Sequence, residues 1–524
     1  MSAIINDLKQ LYELLAQCEY REHVIHVLNY DMETAAPRGG MEDDGRDISI
    51  FSSEIFKIKK SGDFLLLVNK LYKQEYKKLN VWDQRLVTLL YRDLQRDKNI
   101  SPDLNKRMTQ LFNSAYITWI KAKEKNDYSL FKDKLKAIYE IEKEAVTLRD
   151  NHDSKNLYST LLSDYEEGFT VKDLDKFFDE LEAGIKPLLA AIRKAKYQPR
   201  HDFLNRPVPI AKQEEFSNYL LKFNGFDFER GSLSTTEHPF TDQFSLNDVR
   251  VTTHYYETNF ISNIYSIIHE GGHALFGQNI PEDVYTHHLG EGVLSMAKHE
   301  SVSRFYENVI GRSKEYIHAI YPYFHKLFEK ELGDVSEDDL YEGVNYVDLN
   351  NSLRTEADEL TYSLHIIIRY RLEKMMMEGK ADFDTLDQEW NRLYKEILGI
   401  ENKDAKTGIL QDVHWTSGFG YFPTYAMGNA LNCIYAKKID ADINLKKTVK
   451  NGDMKKVLSW MRENVFAKAP LYDTKEWIKK ISGEPFSSKD YIYYLKEKFM
   501  KLYHIKKLET AENTTSTKKG AKSK

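Results

Sequence analysis

The chain has 524 residues, of which 41% are hydrophobic and 30% charged, enough for a substantial core under a solvated surface. Its net charge of −6 is mild for this size, and no Lys/Arg cluster interleaved with aromatics occurs in its body, which weighs against a nucleic-acid partner. Cys18 and Cys433 are its only cysteines, too few for a disulfide framework or a thiolate zinc site, and they fit a reducing compartment. The start, Met1 to Lys9, lacks the basic and apolar regions of a secretion signal. No run approaches about 18 apolar residues, so a cytoplasmic protein with no membrane partner is expected.

Residues 4–30 carry Ile4, Leu8, Leu11, Leu15 and Cys18 at three- and four-residue steps, a helical pattern. Asp31 to Gly40 then breaks the period, with Pro37, Gly39 and Gly40 marking a loop. From about 41 to 195 the helical step persists, and Ser101 and Thr170 stand where N-caps are expected. Around 196–257 prolines at 199, 207, 209 and 239 interrupt the helices. There Asn247 to Tyr256 is β-branched and aromatic, the best strand candidate, and a short strand pair is expected at the edge of the site that the next helix carries. Helices resume to the end, broken by a loop at about 403–425. The Thr-, Lys- and Ala-rich stretch 509–524 has no periodicity and reads as a disordered tail.

That helix holds His269-Glu270-Gly271-Gly272-His273 inside an apolar run, and is expected to begin near Thr258 and to stop at Gly277-Gln278-Asn279. Four residues apart on a helix, His269 and His273 project from one face and can reach one metal ion. Glu270 lies beside them, free to take a proton from a water attacking a carbonyl. The competing reading is a core helix whose histidines are bonded to backbone or carboxylates. The paired glycines weigh against it: each costs about 1 kcal/mol in a helix interior relative to alanine, so close approach by another backbone or a ligand is expected there.

Two neutral histidines suit zinc with one further anionic ligand. Downstream candidates are Glu282, Glu291, Glu300 and Glu307. Glu282 and Glu291 fall in expected loops, where metal geometry is harder to hold. Glu300 falls on a second expected helix that starts near Val293, with His299 and Ser301 beside it. Spacing alone leaves Glu300 only slightly ahead.

A series of motifs then occurs in order: His238-Pro239-Phe240, Asp248-Val249-Arg250-Val251-Thr252, His269-Glu270-Gly271-Gly272-His273 and His299-Glu300-Ser301. Leu353-Arg354-Thr355-Glu356-Ala357-Asp358, Gly408 to Trp415 and Gly420 to Tyr425 complete it. With this set, and with Tyr30 to Pro37 near the start, the chain resembles the thermostable metallocarboxypeptidases of the carboxypeptidase Taq family over nearly its whole length. It departs from the family pattern at Leu353, Val302 and Tyr30, none of which is a metal-binding or proton-transferring group.

The resemblance implies a mainly α, large helical single-unit fold with a deep active-site cleft, a small β-sheet at its edge, and a homodimer. It implies removal of single amino acids from peptide C-termini, with His269, His273 and Glu300 on the metal, zinc or cobalt, and Glu270 as general base. Residues 1–508 would form one domain, with the metal-site core at about 238–425. A carboxypeptidase must also hold a free α-carboxylate, which a guanidinium does in bidentate fashion. Arg354 is the first choice and Arg250 the second, with an Arg354–Asp358 pair as the competing structural role. Tyr421 and Tyr425 are expected to face substrate, Tyr421 as oxyanion donor, with aromatic packing as the competing role. His238 and His414 are expected to bind substrate, with a structural histidine as the competing role. The rival readings are a helical metallo-oligoendopeptidase and a non-catalytic helical binding protein with a vestigial metal site.

Overall fold

The computed structural model describes residues 2–290, 294–402 and 404–508. Glu291, the expected helix start at Val293 and the tail at 509–524 lie outside the described residues. Helices dominate, with one small sheet, as the mainly α expectation requires. Contacts divide the chain into two compact units. The first takes the chain up to Asn99, Asp202–Glu337 and Tyr435–Pro485; the second takes Ile100–His201, Asp338–Ile434 and the chain from Phe486.

In the first unit the opening helix, Ser2–Thr34, runs further than the sequence suggests. The amides of Ala35 and Ala36 both bond the Asp31 carbonyl, so the chain turns only at Pro37. The sheet has three strands, β1 (Gly231–Thr235), β2 (Thr241–Ser245) and β3 (Asp248–Thr253). β3 is central, parallel to β1 and antiparallel to β2. The expected strand pair is therefore β2–β3, and β1 is an addition that its polar, glycine-led sequence hides. A side chain at Gly231 would meet the Val249 carbonyl at 2.3 Å, so only glycine lets β1 lie against β3.

Behind the sheet lies the helix Phe260–Asn279. Asn259 caps it by accepting from the Ser262 amide, and Phe260, Ile264, Ile267, Ile268, Leu275 and Phe276 are buried. Gly277 does not stop it. It runs to Asn279, and Ile280 is already extended ahead of Pro281, the conformation a following proline favours. Buried Asn263 ties this helix to β3 and to the helix Ile210–Asn224, through the Thr253 hydroxyl (2.9 Å) and the Ser217 hydroxyl (3.1 Å). Glu282 opens a short helix, Glu282–Thr286, where a loop is expected. The helix Met296–Arg304 comes next, capped by Ser295, and widens into a π-helical turn at Phe305–Gly311.

The second unit is built around the helices Val171–Arg193 and Tyr362–Met377. Thr170 and Asp173 form a capping box at the start of the former, as expected of Thr170. Ser101 likewise caps Pro102–Lys125 by accepting from the Leu104 amide at 3.1 Å. A side chain at Gly184 would meet Ile492 at 2.7 Å, so the helix Lys489–Leu502 packs closely there. The irregular stretch between Val344 and Tyr362, which carries Arg354, holds the Asn- and Asp-rich run Asn345 to Ser352, a loop signal that the helical reading passes over.

Candidate metal centre

Two helices of the first unit bring the centre together. Gly272 makes this possible, because a Cβ there would stand 2.8 Å from Ser303 Cα and 3.3 Å from the Val302 carbonyl. The backbone of Met296–Arg304 thus lies directly on the glycine face of the histidine helix, the close approach its sequence calls for. Gly271 faces only the tip of Leu221.

Across this contact, His269 Nε2 and His273 Nε2 lie 3.6 and 3.7 Å from the same oxygen, Glu300 Oε2. The three donor atoms fall within 4.8 Å of one another, and the group can hold a metal ion. Two imidazoles and a carboxylate suit zinc and similar divalent ions at bonds of about 2.0–2.2 Å.

The surrounding groups orient these donors. Glu300 Oε1 accepts from Arg304 Nε at 2.7 Å, and Oε2 accepts from the Ser303 hydroxyl at 3.2 Å. Glu307 is no member of the triad; its Oε2 lies 2.8 Å from His269 Nδ1 and is paired with Arg304, while its Oε1 faces Arg312. His273 Nδ1 instead meets His299 Nδ1. With Nδ1 engaged in this way, each ring turns its Nε2 towards Glu300. Burial alone would lower the His269 pKa, but Glu300 and Glu307 raise it overall. Burial, with the charges of His299 and His269, lowers His273 far below its ordinary value, so this ring is neutral and its lone pair available. Burial would raise the Glu307 carboxyl, yet Arg304 and His269 keep it ionised.

Glu270 is buried beside the pair. Its Oε2 accepts from the Thr241 hydroxyl at 2.7 Å, and burial raises its pKa against the opposing pull of His269 and Thr241. Thr241 escapes a reading by motif, although it directly follows His238-Pro239-Phe240. Its placement is traceable: buried Thr252 of the Asp248–Thr252 motif accepts from the Phe240 amide at 2.8 Å, and its own amide bonds the Phe240 carbonyl. The two motifs thus aim Thr241 at Glu270. Arg250 is paired in a fork with Asp248, at 2.9 and 2.8 Å, and lies over Phe244 and Tyr30. His238 is exposed in the turn between β1 and β2.

The second unit gathers the other candidates by themselves. Arg354 does not pair with Asp358, whose Oδ1 instead accepts from the Leu360 and Thr361 amides in the turn ahead of the next helix. Instead Arg354 Nε donates to Asp412 Oδ1 at 2.8 Å, and Arg369 donates to Asp412 Oδ2 at 2.8 Å. Burial would raise the Asp412 carboxyl, but the two guanidiniums hold it well below its usual range. Two buried cations share one anion, which leaves a surplus positive charge. His414 does not add to it, because burial takes its pKa down to about 4, and Nε2 contacts the Tyr425 hydroxyl at 3.2 Å. The Tyr421 ring stands 5.2 Å from His414 and 5.3 Å from Tyr425. Arg354 lies 4.9 Å over Tyr425.

Residues 10–499 match the family described as carboxypeptidase Taq (M32) metallopeptidase. Carboxypeptidase 1 of Bacillus subtilis is 35% identical over 500 residues, covering 94% of this chain and 98% of that protein. Thermostable carboxypeptidase 1 of Thermus thermophilus is 34% identical, covering 78% of this chain and 81% of that protein. A crystal structure of an M32 carboxypeptidase from Deinococcus radiodurans superposes with a TM-score of 0.91 at 29% identity, over 95% of this chain and 100% of that one.

Proposed function

The chain belongs to the carboxypeptidase Taq (M32) metallopeptidase family and is a metallocarboxypeptidase acting on peptides; from that premise we propose how its residues divide the work. The observation that carries the proposal is the convergence of His269, His273 and Glu300 with buried Glu270 beside them.

His269, His273 and Glu300 hold the ion, zinc or alternatively cobalt. When bound, the ion supplies Lewis acidity that polarises the scissile carbonyl and acidifies water. Glu270, oriented by Thr241, takes a proton from the water that adds to the carbonyl carbon. As the C–N bond breaks, Glu270 returns that proton to the leaving amine, and no acyl-enzyme is needed. Arg354 receives the free α-carboxylate of the substrate; its sharing of Asp412 with Arg369 leaves charge for an incoming anion. Arg250 is the lesser choice, because Asp248 already fills its fork. Tyr421 donates to the developing oxyanion, and Tyr425, His414 and His238 contact substrate. Residues 1–508 act as one catalytic domain, working as a homodimer in the cytoplasm. No helix among the described residues is long and apolar enough to cross a membrane.

The test is C-terminal trimming of an unblocked peptide ladder read by mass spectrometry, with the amide-blocked ladder alongside. Stepwise loss of single residues from the free peptide only, with kcat reduced about 10²–10⁴-fold in Glu270→Gln at unchanged metal content, is expected. Cutting of the blocked ladder at internal bonds would sink the assignment of Arg354.

A further inference from the structure

The helix Tyr362–Met377 carries a glutamate that none of the motifs contains. Glu373 is 1% exposed, and its carboxylate is met by three donors. Trp415 Nε1 donates to Oε1 at 2.8 Å, while the Tyr158 hydroxyl and the Gly420 amide donate to Oε2 at 2.6 and 2.8 Å. Two of these donors bracket the segment from Trp415 to Gly420, so one side chain ties both ends of that loop. The loop depends on being tied. Gly418 and Gly420 sit at φ +129° and +103°, and a Cβ on Gly420 would press against the Leu161 carbonyl at 3.1 Å. His414 and Tyr421 flank it directly.

A buried carboxylate met by donors but by no cation is an expensive choice for a purely structural contact. Burial pushes its carboxyl up to about 7 against the hold of its donors, and no cation is among the groups that act on it. An amide cannot replace it. Glutamine has one accepting oxygen, so with that oxygen turned to Tyr158 and Gly420 its NH2 would face the indole N–H of Trp415, donor against donor.

We propose that Glu373 is a positioning residue for the reaction, fixing the Trp415–Gly420 loop so that Tyr421 and His414 are held where substrate needs them. The proposal rests on the assignment of Tyr421 and His414 as substrate-facing groups.

The experiment measures kcat, KM, Tm and metal content for metal-loaded Glu373→Gln, Trp415→Phe, the double variant, Tyr158→Phe and Tyr421→Phe. Glu373→Gln is expected to keep its metal and to lose about 10- to 100-fold in kcat, the scale of a small misplacement of a reacting group. The double variant recovers part of that loss, because the amide no longer meets an N–H while the tie to Gly420 remains, and Tm read alongside separates a loss of bulk stability from a loss of positioning. Tyr158→Phe loses several-fold in the same direction. It decides the matter if Glu373→Gln does not fold: wild-type kcat and KM in Tyr158→Phe would then overturn the proposal. So would a Glu373→Gln enzyme with lowered Tm but unchanged kcat and KM. If Tyr421→Phe is fully active while the Glu373 loss and its rescue persist, the assignment of Tyr421 falls and the positioning role stands, exerted through His414.

Discussion

Neighbouring imidazoles in this protein meet different fates according to what faces their nitrogens. His269 leans on an anion, Glu307, and His273 on a second imidazole, His299, so the first is the more basic donor to the ion. The HExxH spacing makes the two rings point the same way; which residues set their tautomers is tertiary information, since the sequence offers His299 only as a neighbour of Glu300 and Glu307 only as a rival ligand. The His414 pKa of about 4 lies below the ordinary value of 6.5 because burial disfavours its charged form more than the Asp412 charge favours it. In the unfolded chain this histidine takes up a proton near pH 6.5, whereas the folded one does so only near pH 4. Between those values the unfolded state binds more protons, so the stability this group contributes is present above pH 6.5 and is lost as pH falls towards 4. Replacing it as His414→Asn should therefore flatten the fall in Tm between pH 7 and pH 5, by an amount corresponding to roughly 1–3 kcal/mol. Thermal unfolding at the two pH values checks this, and parallel losses in both proteins would rule it out.

Among the elements, the histidine helix was the most legible, because its motif, its apolar run and its paired glycines all describe one situation. The glycines are worth separating. At Gly272 an added methyl meets Ser303 Cα, part of a backbone that cannot swing aside, whereas at Gly271 it meets a leucine tip that can. Gly272→Ala should thus cost about 1–3 kcal/mol by overpacking and, by pushing Glu300 away from the histidines, lower metal occupancy as well. Gly271→Ala should keep its metal and lose little stability, since alanine also favours the helix by about 1 kcal/mol. Metal analysis with Tm for the two variants decides it, and equal losses would mean that the close approach of the helices does not set the site. Elements whose sequence has a misleading period were less legible. The stretch around Arg354 reads as continuous with the helix after it, and an Arg354–Asp358 pair is plausible on that basis. In the structure Asp358 is spent on the Leu360 and Thr361 amides, and Arg354 turns to Asp412, 58 positions away. No local pattern encodes such a partner. β1 is hidden for a related reason: Gly231 to Thr235 is too polar and too short to stand out, and it is a strand because β3 offers it an edge.

Each of the two units is drawn from three separate stretches of chain. The break after His201 falls where prolines 199, 207 and 209 interrupt the helical texture, whereas those at Glu337 and Ile434 fall inside helices, where nothing in the sequence marks them. The metal triad, by contrast, lies entirely within one unit, on two helices close together in sequence. An ion there bridges Phe260–Asn279 and Met296–Arg304 and binds the folded state alone, because unfolding disperses Glu300 from the histidines. Its contribution follows from mass action: at a free concentration of about 100 Kd it stabilises the native protein by about 2.7 kcal/mol. Stripping the ion with a chelator should lower Tm, and titrating zinc or cobalt back into the apoprotein should raise it progressively with the logarithm of free metal. Glu307→Gln supplies the internal control. It leaves all three ligands in place but removes the anion behind His269, so its metal affinity should fall about 10- to 100-fold and the Tm curve should shift to higher metal by the same factor. At saturating metal its Tm gain approaches that of the unmodified protein. An apoprotein whose Tm ignores both ions would mean that these three side chains are not the resident metal site, whereas a Glu307→Gln curve superimposable on the wild type would leave the triad in place and remove Glu307 from any part in tuning it.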